Sequence, residues 1–138
     1  MRFAGKTVVV LGGNSGIGLA AARAFQAEGA RVAITGRNKQ TLAQLAAASG
    51  MLAVRSDISS VADTRAAMAR IAEQLHGIDV LFVNAGVGGF ATVPEVTEEF
   101  WDTVHGVNLR GAFFAVEAAL PHLRDGGSIG RASCRERV

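Results

Sequence analysis

A glycine-rich loop is the first segment of this sequence whose residue types predict chemistry. Residues 11–18 read Leu-Gly-Gly-Asn-Ser-Gly-Ile-Gly, which gives a G-x-x-x-G-x-G spacing. Gly12 permits a tight turn, Gly16 lets the backbone approach a pyrophosphate, and Gly18 allows close packing of a helix on a strand. The N-terminus of a following helix offers free N–H groups and a positive dipole end to phosphates. The spacing therefore predicts dinucleotide binding, with a plain tight turn as the alternative.

A short basic segment follows this loop by about 20 residues, where dinucleotide folds contact the adenosine ribose. Residues 35–39 read Thr-Gly-Arg-Asn-Lys and contain no carboxylate. An acid at this place favours NAD by binding the 2′-hydroxyl, whereas an arginine favours the 2′-phosphate of NADP. Arg37 can hold a phosphate through two hydrogen bonds, and Lys39 adds positive charge. The segment predicts NADP(H) in preference to NAD(H), and a solvated basic turn is the alternative.

These residues must be positioned by elements that alternate along the chain. Apolar runs without polar alternation are typical of strands covered on both faces. They predict strands over 6–11, 31–35, 51–55 and 79–83, and the start of a fifth strand at 126–129. Helices are predicted over 15–29, 41–49, from Ser59 or Ser60 to 75, and over 97–122. This order predicts an α/β fold: a Rossmann-type doubly wound parallel sheet, incomplete, with about four strands plus the start of a fifth.

Three spaced motifs together resemble the short-chain dehydrogenase/reductase family. They are Gly-Gly-Asn-Ser-Gly-Ile-Gly at 12–18, Asn-Ala-Gly at 84–86 and Val-Asn-Leu at 107–109, and the resemblance covers residues 3–128. It implies that Asp57 lies beside the adenine amino group and that 84–86 stabilises the sheet and lines the cofactor cleft. One departure is Leu11, where members usually carry a threonine. The predicted cofactor-binding residues are Gly12, Asn14, Ser15, Gly16, Ile17, Gly18, Arg37, Asn38, Asp57, Ile58, Asn84, Ala85 and Gly86.

The resemblance also implies a catalytic set, of which this sequence has one member. In the family a tyrosine acts as general acid/base, a lysine lowers its pKa and binds ribose, a serine holds the carbonyl oxygen, and an asparagine positions a water. Only the asparagine has a counterpart, Asn108, and the sequence contains no tyrosine. Asparagine is disfavoured inside helices, so a helix bend or a buried hydrogen bond is the alternative role. His76, His105 and His122 do not substitute, and no metal site is predicted.

The predicted function is that of an NADP(H)-dependent oxidoreductase that interconverts a ketone or aldehyde and an alcohol by hydride transfer. The alternative is a non-catalytic module that binds or senses NADP(H). Because the serine, tyrosine and lysine have no counterpart, the 138-residue chain is predicted not to reduce a carbonyl. The resemblance further implies a small-molecule carbonyl or alcohol substrate, and a homodimer or homotetramer packed through the helix over 97–122.

Composition and hydropathy exclude several classes of protein. The chain is 49% hydrophobic and 19% charged, which excludes a disordered chain. No apolar run is long enough to span a membrane, and no long apolar stretch follows Met1. We therefore expect no membrane partner and a cytoplasmic location.

The last ten residues depart from the pattern. Residues 129–138 lack strand or helix periodicity, and they are the translation of ATC GGA AGA GCG TCG TGT AGG GAA AGA GTG, a common sequencing-adapter sequence. We interpret residues 1–128 as the N-terminal part of a dinucleotide-binding Rossmann domain and 129–138 as a non-native tail; a native basic tail is the alternative. Residues 131–138 carry the whole formal net charge of +2 and the only cysteine, Cys134. The charge therefore gives no support to nucleic-acid binding.

Overall fold

The computed structural model describes residues 1–132, which form a five-stranded parallel sheet in the order β3-β2-β1-β4-β5. The strands are β1 (Thr7–Leu11), β2 (Arg31–Gly36), β3 (Leu52–Arg55), β4 (Ile78–Val83) and β5 (Leu123–Arg131). Every neighbouring pair is parallel. The strand order reverses between β1 and β4, and the carboxyl ends of strands at such a point are where open α/β sheets bind ligands. The predicted Rossmann-type sheet is confirmed.

The helices connect the strands in the predicted alternation. They are α1 (Gly16–Ala27), α2 (Lys39–Ser49), α3 (Val61–Leu75), α4 (Glu98–His105) and α5 (Ala112–Ala119). Side chains cap three of them: Asn38 accepts from the Thr41 N–H, Ser60 from the Asp63 N–H and Thr97 from the Phe100 N–H. Ser60 is thus the cap residue of α3, one of the two serines that the sequence offered.

The long helix predicted over 97–122 is not a uniform α-helix. A π-helical segment, Gly106–Gly111, separates α4 from α5, and a 3₁₀ turn, Leu120–His122, follows α5. The segment contains two glycines and Asn108, all weak helix formers. A bond from Asn108 to a neighbouring loop, described below, supplies the tertiary reason for the irregular turn.

The sheet is covered on both faces by separate apolar clusters. Alternate residues of β1 point to opposite sides: Val9 and Leu11 join the cluster with α3 and α5, whereas Val8 and Val10 join the cluster with α1 and α2. All five residues of β1 are buried. Burial on both faces explains why the strand is apolar throughout and lacks polar alternation.

A charged cluster centred on Asp79 joins β1, β4 and β5 at the amino ends of the strands. The Thr7 backbone N–H donates to Asp79 Oδ2 at 2.8 Å, and Arg124 Nη1 donates to the same oxygen at 2.5 Å. Lys6 Nζ lies 3.7 Å from Asp79 Oδ1. Burial acts to raise the pKa of Asp79, but the Thr7 N–H and the charges of Arg124 and Lys6 outweigh it and hold that pKa below its ordinary value.

The fifth strand extends beyond Ser128, where the sequence predicted that the strand pattern ends. Leu81 pairs with Ile129 and Val83 with Arg131, after an irregular stretch that contains Gly126 with φ +75°. Parallel pairing is made by backbone groups, so it does not need the apolar side chains on which the sequence prediction depended. The origin of residues 129–138 stays a prediction, and residues 133–138 lie outside the described part.

Within residues 1–132 the structure contains no helix that is both long and apolar enough to cross a membrane. In the same range no group of three or more histidine, cysteine, aspartate or glutamate side chains is placed to hold a metal ion.

Candidate cofactor cleft

A cleft of about 830 Å³ lies at the carboxyl ends of β1, β2, β3 and β4. Of the residues predicted from the sequence to bind cofactor, all except Gly18 line this cleft. The cleft also contains residues that the sequence analysis did not assign to cofactor binding, which are Thr35, Gly36, Ser56, Ser59, Val87, Asp102, Thr103, Gly106 and Val107. The α4 residues among them depend on how that helix packs over the sheet edge, which no local pattern encodes.

Gly12 and Gly18 have the spatial roles that the spacing of the loop glycines predicted. Gly12 has φ +70°, and a Cβ there would lie 2.9 Å from Ala85 Cα. A Cβ at Gly18 would overlap the Gly12 carbonyl oxygen and lie 2.5 Å from Asn84 Nδ2. Asn84 Nδ2 donates to that same carbonyl at 3.3 Å. Gly18 is therefore needed for close packing behind the cleft, which is why it does not line it.

The start of α1 has the properties of an anion site. Gly16 has φ +54°, and no atom lies within 4 Å of where its Cβ would be. Ser15, the N-cap residue, makes no side-chain capping hydrogen bond. The first-turn N–H groups thus have no capping side chain, and they face a cleft wall formed by Ser15, Gly16 and Ile17. The room and the free donors fit a bound pyrophosphate.

The basic segment after β2 reaches the same cleft. Arg37 and Asn38 line it, whereas Lys39 begins α2 and is not among the lining residues. The Asn38 side chain caps α2, so its oxygen is already used within the protein. Gly36 lies against the Asn14 side chain, because a Cβ there would be 2.6 Å from Asn14 Cγ. Arg37 is the cation that the structure places in this part of the cleft.

A tightly bonded turn after β3, residues 57–60, lines the cleft through Asp57, Ile58 and Ser59. We call it the adenine wall, after the prediction from the sequence that Asp57 lies beside adenine. Asp57 Oδ1 accepts from the Ser59 N–H at 3.0 Å and from the Ser59 hydroxyl at 2.7 Å. The Ser60 N–H donates to the Asp57 carbonyl at 2.9 Å. The Ser59 hydroxyl bond lowers the pKa of Asp57 against the effect of its partial burial, and the Arg37 charge adds to the lowering. Asp57 therefore offers an ionised hydrogen-bond acceptor.

Asn108 does not line the cleft, but its side chain binds the backbone of Val87, which does. Its Oδ1 accepts from the Val87 N–H at 2.9 Å, and its Nδ2 donates to the Val87 carbonyl at 2.6 Å. The Asn108 carbonyl accepts a hydrogen bond from Arg131 Nη2. Both functional groups of the side chain are thus engaged by Val87, as the buried hydrogen-bond alternative requires. A catalytic role of Asn108 stays a prediction.

A smaller groove of about 320 Å³ adjoins the cleft and shares Val87 and Thr103 with it. Its other lining residues are Gly88, Thr97, Glu99, Phe100 and Val104. Phe90 is fully exposed and lines neither space.

None of the three histidines lines the cleft. His76 ends α3 with φ +59°, and His122 lies in the 3₁₀ turn after α5. The His105 ring stacks on Trp101 with centroids 4.0 Å apart, and its Nδ1 donates to the Trp101 carbonyl at 2.9 Å. That the histidines do not replace a catalytic residue stays a prediction.

Comparison with known proteins identifies relatives over nearly the whole described chain. A profile of the family described as short chain dehydrogenase matches residues 6–132. An oxidoreductase of Sarocladium schorii is 38% identical over 132 residues, which are 93% of this chain and 53% of that protein. A meso-2,3-butanediol dehydrogenase of Serratia marcescens is 40% identical over 126 residues, 89% of this chain and 50% of the relative. The chain spans about half the length of these curated relatives.

The fold has close counterparts among solved structures. A short chain dehydrogenase from Burkholderia cenocepacia J2315, in complex with NADP, aligns with a TM-score of 0.84 and 34% sequence identity. The alignment covers 95% of this chain and 56% of that chain.

Proposed function

Because this chain belongs to the short-chain dehydrogenase/reductase family, we propose that it is the cofactor-binding part of a cytoplasmic NADP(H)-dependent oxidoreductase. Its reaction is the interconversion of a ketone or aldehyde and an alcohol, and the nicotinamide ring, when bound, supplies or accepts the hydride. The observation that carries the cofactor preference is Arg37, a guanidinium in the cleft directly after β2, in a segment without a carboxylate.

Each wall of the cleft has a defined task in this proposal. The N–H groups at the start of α1 bind the pyrophosphate, and Arg37 binds the 2′-phosphate. The Asp57 carboxylate accepts from the adenine amino group. Asn84, Ala85 and Gly86 form the back of the cleft, and Asn108 fixes the Val87 backbone at the far end. These residues bind and orient a cofactor, and they do not themselves supply a general acid.

A test of the preference compares NADPH and NADH affinity, read from the fluorescence of the reduced nicotinamide. We expect NADPH to bind at least about tenfold more tightly. Arg37→Ser removes a charge-assisted hydrogen bond, so it lowers NADPH affinity by roughly ten- to a hundredfold and leaves NADH affinity nearly unchanged. Arg70→Ser is the matched control, because Arg70 is exposed on α3 and does not line the cleft. A tenfold preference for NADH would refute the assignment.

A non-catalytic NADP(H)-binding module is the alternative function. The two candidates differ in turnover. An assay of NADPH oxidation with a panel of ketones and aldehydes is expected to give no activity for the 138-residue chain. The enzyme proposal requires that the same cleft, in a chain with a Tyr-x-x-x-Lys segment after β5, supports turnover. If such a longer chain binds NADPH and stays inactive, the sensing module is the better description.

A further inference from the structure

The π-helical segment Gly106–Gly111 contacts both ends of the cofactor cleft. Gly106 and Val107 line the cleft directly, and Asn108 bonds to Val87 at one end. At the other end, Arg110 and Gly111 contact the adenine wall, residues 57–60. π-helical turns are rare and occur mostly at functional sites. The contact of Arg110 and Gly111 with the adenine wall therefore calls for a physical explanation.

The structure leaves no room for a Cβ atom at Gly111. Its backbone has φ −61° and ψ −45°, a helical conformation that any residue adopts. A Cβ at this position would lie 2.7 Å from the Ile58 carbonyl oxygen and 3.2 Å from Ile58 Cγ1. Since the nearest atom belongs to backbone, it cannot move aside as a flexible side chain does. Alanine in place of Gly111 must therefore displace the Ile58 peptide group.

Arg110 contacts the same turn from the neighbouring position. Its Nη1 donates to the Ser59 carbonyl at 3.4 Å, and its guanidinium carbon lies 5.4 Å from the centroid of the Phe114 ring. The ring contact holds the guanidinium on the surface of α5. Two consecutive residues of the π-helical segment thus contact the carbonyl groups of two consecutive residues of the adenine wall.

Hydrogen bonds join the residues of the adenine wall to one another. Ser59 donates twice to Asp57, and Asp57 accepts again from Ser60. The Asp57 N–H also lies 3.4 Å from Asp63 Oδ2, which binds Arg55 Nη1 at 2.6 Å. Because the bonds from Ser59 and Ser60 to Asp57 close the turn that contains Ile58, a shift of the Ile58 carbonyl is expected to displace the Asp57 carboxylate as well.

We propose that Gly111 and Arg110 are positioning residues for the adenosine half of the cofactor. They set the adenine wall without touching the cofactor: Gly111 by leaving room for the Ile58 carbonyl, and Arg110 by binding the Ser59 carbonyl. This inference rests on the proposed function, because it assumes that residues 57–60 contact adenine.

The test uses the 138-residue chain and two ligands, NADPH and adenosine 2′,5′-bisphosphate, which lacks the nicotinamide half. Affinities are measured by calorimetry for wild type, Gly111→Ala, Arg110→Met and Arg110→Lys. Gly111→Ala is expected to weaken both ligands by the same factor, about tenfold. Arg110→Met is expected to weaken both about threefold, and Arg110→Lys to recover part of that loss. Leu109→Ala is the control, since Leu109 is an exposed residue of the same segment and should leave both affinities unchanged.

The outcomes separate this inference from the proposed function. If wild type binds neither ligand, the proposed function and the inference both fail. If wild type binds both and Gly111→Ala binds them equally well, or loses NADPH affinity alone, only the positioning role is overturned. Should Gly111→Ala not fold, the Arg110 variants decide: unchanged affinity for the bisphosphate in Arg110→Met overturns the proposal, and a loss restored by lysine supports it.

Discussion

Gly12, Gly18 and Asp79 each lie where distant segments of the chain meet. The tight turn at Gly12 and the close packing at Gly18 were predicted correctly because the spacing of the glycines encodes the local backbone geometry. The pyrophosphate contact of Gly16 stays a prediction. The sequence pattern identified Asp79 only as the first residue of a strand. In the structure its carboxylate accepts hydrogen bonds from Thr7 and Arg124 and forms an ion pair with Lys6. Thr7 and Asp79 are 72 positions apart, so the strand order had to be known before the contact was visible.

The Asp79 cluster predicts a loss of stability in acid. Because the folded pKa of Asp79 lies below its ordinary value of 3.8, its stabilisation is complete above that pH. It is lost as the pH falls through the folded pKa. Asp79→Asn is expected to lower the free energy of unfolding by about 2 kcal/mol at pH 7, since charged hydrogen bonds are removed.

Urea denaturation from pH 7 down to pH 2 measures this effect, and the curves of wild type and Asp79→Asn should converge in acid. Glu117→Gln is the matched control, because Glu117 pairs with Arg65 at 3.2 Å on the surface. Exposed pairs contribute little, so the control should change stability by less than about 0.5 kcal/mol. A constant difference between wild type and Asp79→Asn across the whole pH range would contradict the assignment.

At the scale of elements, the sequence predicted the first four strands and the helices between them, but not the full extent of β5 (Leu123–Arg131) or the interruption of the last helix. The strands follow from apolar runs, and the caps of α3 and α4 from serine and threonine at the right places. The π-helical turn has its cause outside the helix, in the bond between Asn108 and Val87. Periodicity reports one element at a time, so it could not reveal an irregularity imposed by a loop 21 residues earlier.

Asn108→Ala should therefore loosen the loop after β4 more than it harms the helix. It removes two partly buried hydrogen bonds and leaves the Val87 N–H and carbonyl without these partners, at a cost of about 2 kcal/mol. Amide hydrogen exchange is the direct measurement, and the Val87 amide is expected to lose its protection. Asn38→Ala, which removes the cap of α2 at about 1 kcal/mol, is the control that should leave Val87 exchange unchanged. Retained protection in Asn108→Ala would show that the loop is held by other contacts.

At the scale of the whole molecule, the sheet topology could be predicted from the sequence, whereas the exposed apolar surface of the helices could not. Alternating elements and right-handed crossovers allow few arrangements, so the parallel sheet and the position of its cleft followed from element order. The helical face beyond the cleft did not follow from that order. Along α4, the π-helical segment and α5 it exposes Trp101, Leu109 and Phe113, whose exposed fractions are 57%, 61% and 66%. Large exposed apolar side chains at close helical spacing are typical of protein–protein contact sites.

We expect this face to mediate association with a second copy, as the family resemblance implied. Phe113→Glu should place a charge in the contact and shift the protein toward monomer. Light scattering after size exclusion, over a range of concentrations, gives the mass. Val93→Glu is the comparison, because Val93 is an apolar and still more exposed residue in the 3₁₀ turn Val93–Glu95 before α4. The assignment is wrong if the two variants behave alike or if wild type is monomeric at every concentration.

The stacked pair of Trp101 and His105 gives the molecule a built-in optical reporter. Trp101 is the only tryptophan of the chain, so all indole emission comes from one site on α4, one residue before the cleft-lining Asp102 and Thr103. Indole emission overlaps the absorption of reduced nicotinamide, so arrival of the cofactor should be visible as energy transfer. Burial of the same ring against a second copy should shift its emission to shorter wavelength. Cofactor binding is thus expected to change the intensity of the Trp101 emission, and association with a second copy is expected to change its wavelength. Neither measurement needs an added label.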